Sequence, residues 1–153
     1  MSQLISIVYK PKSAQPEGGA YTRVPITHAV LVAGHGIEGD EKGGSGNRHL
    51  NIMSAHTMQD LTVEGFQTCP GRMGEQLIVG DLDVNALPPG TRLQIGEQSI
   101  VELTEPRTGC AKLERHQGKQ RQDASGRLGM MARVLVGGNI SIGDVVSALD
   151  SDG

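Results

Sequence analysis

Glycine stands at 22 of the 153 positions and recurs between short apolar runs instead of gathering in one block. Glycine inside a helix or strand loses the most conformational freedom on folding. A chain punctuated in this way therefore builds many short elements joined by tight turns. Apolar patterning persists between the glycines, which separates the chain from a disordered polymer of low hydrophobicity. The aromatic residues are one Phe and two Tyr, so Val, Ile, Leu, Met and Ala must fill the core. At this length one domain over residues 1–153 buries such a core without staples.

The spacing predicts a β-branched strand over residues 4–9, a loop over 10–24 and a second strand over 26–33. Residues 34–47 carry six glycines in fourteen positions, which excludes a regular element and lets backbone approach a ligand closely. No Gly-Lys-Ser/Thr ends that loop, so it is not a nucleotide P-loop. Residues 48–53 read as a strand, and Ser54 is placed to cap a helix over 55–64 that stops at Gly65. Further strands are expected at 76–79, 91–95 and 100–103, with Leu87-Pro88-Pro89-Gly90 and Gly96-Glu97 as turns. A brief helix starts near Cys110, strands 129–136 and 145–149 flank Gly137-Gly138-Asn139, and the tail 150–153 frays. Some seven short strands with one clear helix predict a mainly β fold, a closed or nearly closed barrel with one or two short helices, which leaves no long edge exposed.

A formal charge of -3 and a pI near 5.9 lack the excess of Lys and Arg that a nucleic-acid partner demands. The N-terminus has no basic lead or small-residue cleavage pattern, and no apolar run approaches the roughly 20 residues of a membrane helix. The expected setting is cytoplasmic, away from any membrane. Cys69 and Cys110 read as free thiols, because a disulfide framework has more cysteines at closer spacing. The five histidines never fall into zinc-ligand spacing, and His35 and His49, which flank the glycine-rich loop, are left outside the site. No Gly-x-Ser-x-Gly supports a serine hydrolase.

The segment richest in chemistry is Thr104-Glu105-Pro106-Arg107-Thr108-Gly109-Cys110-Ala111-Lys112-Leu113-Glu114. A strand ends there, Pro and Gly bend the chain, and a Cys opens a helical stretch. A thiol in that position feels the positive end of the helix dipole and the charges of Arg107 and Lys112, which favour thiolate near neutral pH. Such a thiolate binds a soft metal or carries sulfur; the alternative is a small buried apolar side chain. Cys69, with no helix start or basic partner of its own, reads as structural.

Gly36-Ile37-Glu38-Gly39-Asp40, Arg48-His49-Leu50-Asn51-Ile52, Gly74-Glu75-Gln76-Leu77, Leu87-Pro88-Pro89-Gly90-Thr91, Glu105-Pro106-Arg107-Thr108-Gly109-Cys110 and the closing Ala132-Arg133-Val134-Leu135 with Ile142-Gly143-Asp144 follow one another in an order that resembles the MOSC family, named for the C-terminal domain of molybdenum cofactor sulfurase. The resemblance covers nearly the whole chain. It implies a β-barrel-like fold that binds the molybdenum cofactor (molybdopterin), and an essential Cys, here Cys110, that ligates molybdenum or holds sulfur as a persulfide. It also implies cofactor contacts from Arg48, Ser54, Gln76, Arg107 and Thr108, whose guanidinium, amide and hydroxyl groups suit a phosphate and a pterin edge. Many members carry Asn after the Glu and a basic-His pair after the Gly-Asp, where this chain has Gln76 and Glu41-Lys42.

The function so implied is sulfur transfer or reduction of N-hydroxylated compounds, with a non-catalytic cofactor carrier or adaptor as the alternative. Reduction requires a separate electron-donor protein, because no flavin, haem or iron-sulfur signature is present. Sulfur transfer requires a cysteine desulfurase as sulfur donor, since the chain holds no pyridoxal phosphate domain. A molybdoenzyme would receive the sulfur or the cofactor.

Overall fold

The computed structural model describes residues 2–11, 23–41, 43–44, 46, 49–109 and 111–149. In chain order the elements are β1 (Gln3–Tyr9), β2 (Val24–Ile26), β3 (His28–Val32), β4 (Gly36–Ile37), β5 (Leu50–Ser54), α1 (Ala55–Val63), β6 (Leu77–Gly80), β7 (Arg92–Ile95), β8 (Ser99–Pro106), α2 (Ala111–Gln117), β9 (Met130–Val136), β10 (Gly138–Ser141) and β11 (Val146–Ala148). Single 3-10 turns at Val84–Ala86 and Arg121–Ala124 complete the set. The mainly β expectation with two helices holds.

The strands form an eight-stranded sheet, ordered β11-β7-β8-β9-β5-β6-β1-β2, and a three-stranded sheet, β10-β3-β4. The expected closed barrel is not what these sheets make. β11 pairs through its three residues with β7, and it meets the β1 side by an isolated bridge, Gln3 to Val145, flanked by bonds from Leu4 N–H to Asp144 O (2.8 Å) and Val146 N–H to Ser2 O (2.9 Å). Those ties draw the ends of the sheet together without a continuous ladder, because the chain turns at Asp144 after the positive φ of Gly143. The strand expected over 26–33 also divides. β2 joins β1 in the large sheet, while β3 joins β10 and β4 in the small one. Pro25 lacks an N–H and is tolerated because β2 is an edge strand.

β5 and β6 run parallel, Ile52 opposite Leu77, and α1 lies on the crossover between them. A parallel pair needs such a covered connection. All of β5 is buried, as a strand covered on both faces must be. On one face Ile52, Leu77 and Val79 enter the main core. On the other, Met53 and Ile78 meet Met58, Leu61, Phe66, Met73, Leu113 and Leu128 in a second cluster beneath the helices. This second cluster fixes α2, the element that follows position 110, against the sheet.

Candidate functional site

Buried hydrogen bonds join segments far apart in sequence around the β5–β6 pair. Asp40, fully buried, accepts from the Lys10 N–H with Oδ1 (3.0 Å) and from Gln76 Nε2 with Oδ2 (3.4 Å). Gln76 Oε1 accepts from the Asn51 N–H (2.7 Å), and Asn51 Nδ2 donates to the Leu128 carbonyl (3.0 Å). An amide is suited to this relay because it carries a donor and an acceptor on one planar group. Gln76 therefore staples the glycine-rich loop to β5, with both polar atoms engaged and 5% exposure. Ser54 occupies the N-cap position of α1, but its hydroxyl makes no cap bond; it accepts from the Val84 N–H instead (2.9 Å).

A second set of contacts encloses the turn after β8. The Arg107 N–H bonds the Gly129 carbonyl (3.0 Å), and its Nη1 donates to the Met73 carbonyl. The guanidinium lies over Gly74, where a Cβ would stand 2.6 Å from Nη2. Glu75, fully buried, takes the Gly71 N–H (2.7 Å) and the Met73 N–H (3.2 Å) on its carboxylate. Burial pushes its pKa up, while the N–H donors and the Arg23 charge pull the other way. Gln117, at the end of α2, donates to the carbonyls of Gln67 (2.8 Å) and Arg72 (3.0 Å) and accepts from the Gln67 N–H (2.6 Å). Residues 67–75 are thus tied to β8 through Arg107 and to α2 through Gln117, on both sides of position 110 in the chain.

Thr108 is exposed on that turn, and Gly109 is pressed against Arg121, whose Cβ would lie 2.7 Å from an added Cβ. Cys110 and Arg48 lie outside the described residues. Among the described residues, no group of three His, Cys, Asp or Glu side chains is placed to hold a metal ion. Cys69 is a free, exposed cysteine.

Asn85 and Gln117 carry no sequence signal, since a polar residue on a 3-10 turn or a helix end looks like any solvated one. Asn51 and Glu75 lie within the family-like segments, yet their types alone do not say that they are buried. His49, left outside the site, lies in the polar part of the core: it is 2% exposed, and its Nδ1 accepts from the Val134 N–H (2.9 Å). Burial lowers its pKa; the Gly46 backbone opposes this, and the charges of His35 and Arg133 add to it.

A sequence profile of the MOSC domain matches residues 39–147. The chain belongs to the MOSC domain family. It is 32% identical over 133 residues, 79% of its length, to a Gibberella moniliformis protein named "Reductase", and it spans only 24% of that protein's length. Solved structures share the fold. YiiM from Geobacillus stearothermophilus superposes with a TM-score of 0.74 at 17% identity, covering 98% of this chain and 76% of that one. The YUAD protein from Bacillus subtilis superposes with a TM-score of 0.75 at 15% identity, over 95% and 94% of the respective chains. Among the described residues of this MOSC domain, no helix is long and apolar enough to cross a membrane.

MOSC domains as a class are linked to the molybdenum cofactor, so the described residues can be tested against that group. Arg107 supplies a positive charge and Thr108 an exposed hydroxyl beside the thiol in sequence, which suits an anionic pterin with its phosphate. Ser54 and Gln76 do not suit it, because Val84, Asn51 and Asp40 already occupy their polar atoms in the interior. Among the described residues, Arg107 and Thr108 are the ones whose chemistry suits the cofactor, while the polar atoms of Ser54 and Gln76 are engaged in the interior.

Proposed function

We propose that this MOSC domain binds the molybdenum cofactor through the Cys110 thiolate as a molybdenum ligand, with Arg107 and Thr108 beside it, and acts as the substrate-reducing module of an electron-transfer pair. The observation that carries the reading is the fastening of the chain on both sides of Cys110. Arg107 ties β8 to the 67–75 segment and Gln117 ties α2 to the same segment. Fastening on both sides leaves only a short stretch of chain between Arg107 and Gln117 to be ordered when a soft metal binds. The relative named "Reductase" favours reduction over sulfur delivery.

When bound, the cofactor supplies two-electron redox chemistry at molybdenum. For an N-hydroxylated substrate the balance is R–NHOH plus two electrons and two protons to R–NH2 and water: the N–O bond breaks and the oxygen leaves as water. The electrons come from a separate donor protein. The chain's own part is to hold the thiolate, to place the Arg107 charge against the anionic cofactor, and to present Thr108 at the open side.

The test is the molybdenum and pterin content of the full chain from molybdate-replete cells, beside Cys110→Ala made identically, followed by reduction of an aryl hydroxylamine with a chemical reductant. Metal near one per chain, lost in the variant, together with amine formation supports the reading. Metal without amine formation makes the domain a carrier, and absence of both metal and pterin refutes cofactor binding.

A further inference from the structure

We propose that His49 is a proton-sensitive latch that fastens the β3–β4 turn to β9 and releases it in acid. The joint lies at Val134. Its N–H is taken by His49 Nδ1 (2.9 Å), and its carbonyl accepts the Gly34 N–H of the β3–β4 turn (3.3 Å). One residue of the large sheet thus carries both ties, one to the imidazole and one to the small sheet. The His49 backbone adds a third bond, from its N–H to the Ala132 carbonyl (2.9 Å). Gly36 of the same turn packs directly on His49: an added Cβ would stand 2.8 Å from the His49 carbonyl oxygen and 3.3 Å from its Cβ. A shift of the histidine is therefore felt by the turn at Gly36 as well as through Val134.

The bond to Val134 assigns the charge state of the ring in the closed joint. An imidazole nitrogen that accepts a backbone N–H carries no hydrogen, so His49 is neutral with its proton on Nε2. A second proton has to enter at Nδ1, where it meets the Val134 N–H and replaces a hydrogen bond by two opposed donors. At 2% exposure the ring cannot reach water without leaving the joint, so proton uptake and opening are one event. Burial weighs most against a positive ring, and His35 of the turn and Arg133 of β9 add to it; the Gly46 backbone pulls the other way. Glu102 of β8 is held by Arg133 through Nε (2.9 Å) and Nη2 (2.7 Å), and Asp40 is engaged with the Lys10 N–H and Gln76. The inference uses no atom of the β8–α2 turn, so it stands or falls apart from cofactor binding.

The test is hydrogen exchange of the full chain followed by NMR from neutral pH downward, each rate corrected for its intrinsic pH dependence. The titration of the His49 ring is read in the same samples from its carbon-bound protons. The released ring has the ordinary value of 6.5 and the closed one a lower value. Between the two, the opening constant rises about tenfold per pH unit, then levels off. The Gly34 and Val134 amides are expected to lose protection along that slope, and the fall is expected to end where the folded-state ring titrates. The Leu103 amide, bonded to the Thr91 carbonyl (2.8 Å) elsewhere in the large sheet, must keep its protection. His49→Asn offers Oδ1 in the place of Nδ1 and takes no proton, so both amides stay protected across the range. His35→Asn removes one opposing charge and shortens the fall, and it stands in should the His49 variant fail to fold.

Unchanged protection at Gly34 and Val134 while the ring titrates overturns the latch. Equal loss at Leu103 along the same slope also overturns it, as global unfolding. A fall unaltered in His49→Asn, or in His35→Asn where that variant stands in, assigns the proton to another group and overturns it as well.

Discussion

Replacing Gly74 with Ala tests whether the motif glycine before Glu75 exists to admit Arg107. Gly74 has φ +80°, and an added Cβ would fall 2.6 Å from Arg107 Nη2 and 3.0 Å from Cζ. The left-handed backbone costs alanine about 1–2 kcal/mol. The steric overlap is with the mobile end of a side chain, so it is relieved when the guanidinium swings away. That movement forfeits its charged hydrogen bond to the Met73 carbonyl, worth about 1.5–3 kcal/mol for a well-desolvated pair. Arg107 is only partly buried, which places the total near the lower end, about 3 kcal/mol. Against a domain stability of about 5–15 kcal/mol this is readily measured by urea denaturation. The discriminating assay is a double-mutant cycle with Arg107→Ala. If the overlap is what matters, Gly74→Ala costs only the backbone part, about 1–2 kcal/mol, once Arg107 is gone. A coupling energy under about 0.5 kcal/mol would refute the argument, because Gly74 would then be required for its backbone alone.

Other outcomes follow from the same geometry. Gly109→Ala places a Cβ 2.7 Å from Arg121 Cβ and 3.1 Å from Leu113 Cδ2, a near-backbone collision that must shift the residue next to Cys110; molybdenum content measured by mass spectrometry is expected to fall well below wild type while the fold is kept. Glu75 has a raised folded pKa, so the native state holds its proton more tightly than the unfolded chain, and stability falls as pH rises from 4.5 through the raised value. That fall is expected to flatten in Glu75→Gln, as read by melting temperature against pH. His49 has the opposite sign. Its lowered pKa makes the unfolded chain bind the extra proton, so its stability contribution is present above pH 6.5 and is lost as pH falls through the folded value. The acid-side drop should shrink in His49→Gln. The Arg127–Glu64 pair sits at the surface, where solvent screens it, and breaking it with Arg127→Ala is expected to leave the melting temperature nearly unchanged in a thermal melt.

The legible part of the fold was the part written in short-range pattern. The β-branched run at 4–9, the helix from Ala55 and the turns at Pro88-Pro89-Gly90 and Gly96 all depend on neighbours in sequence, and β1, α1, β7 and β8 lie where that pattern puts them. The parallel pairing of β5 with β6 was not legible, because a five-residue buried strand reads the same whichever partner it takes. Nor was the small sheet. β4 is two residues long, and the Gly137-Gly138 pair that reads as a turn is what lets β10 lie against Leu31.

For the site, residue type pointed to chemistry where the structure uses several of the same groups for architecture. Gln76, Ser54 and Asp40 look like ligand-binding residues in a list of polar motif positions, but each closes a hydrogen bond that burial would otherwise leave open. A buried unsatisfied amide or carboxylate costs about 1–3 kcal/mol or more, so a chain with many turns and few aromatic side chains needs such staples wherever a loop crosses its core. The same requirement explains why glycines and polar residues travel together here: Gly74 admits Arg107, Gly129 lies against Asn51 and is gripped by Asn85, and Gly109 lies against Arg121. Among the described residues of the β8–α2 turn, Thr108 is the exposed one, one residue after Arg107. Substitutions at the staples should therefore act on stability first and on cofactor content in proportion to it, while Thr108→Ala should lower cofactor content with the melting temperature unchanged. Equal losses of stability and cofactor content at Thr108 would mean that it too belongs to the scaffold.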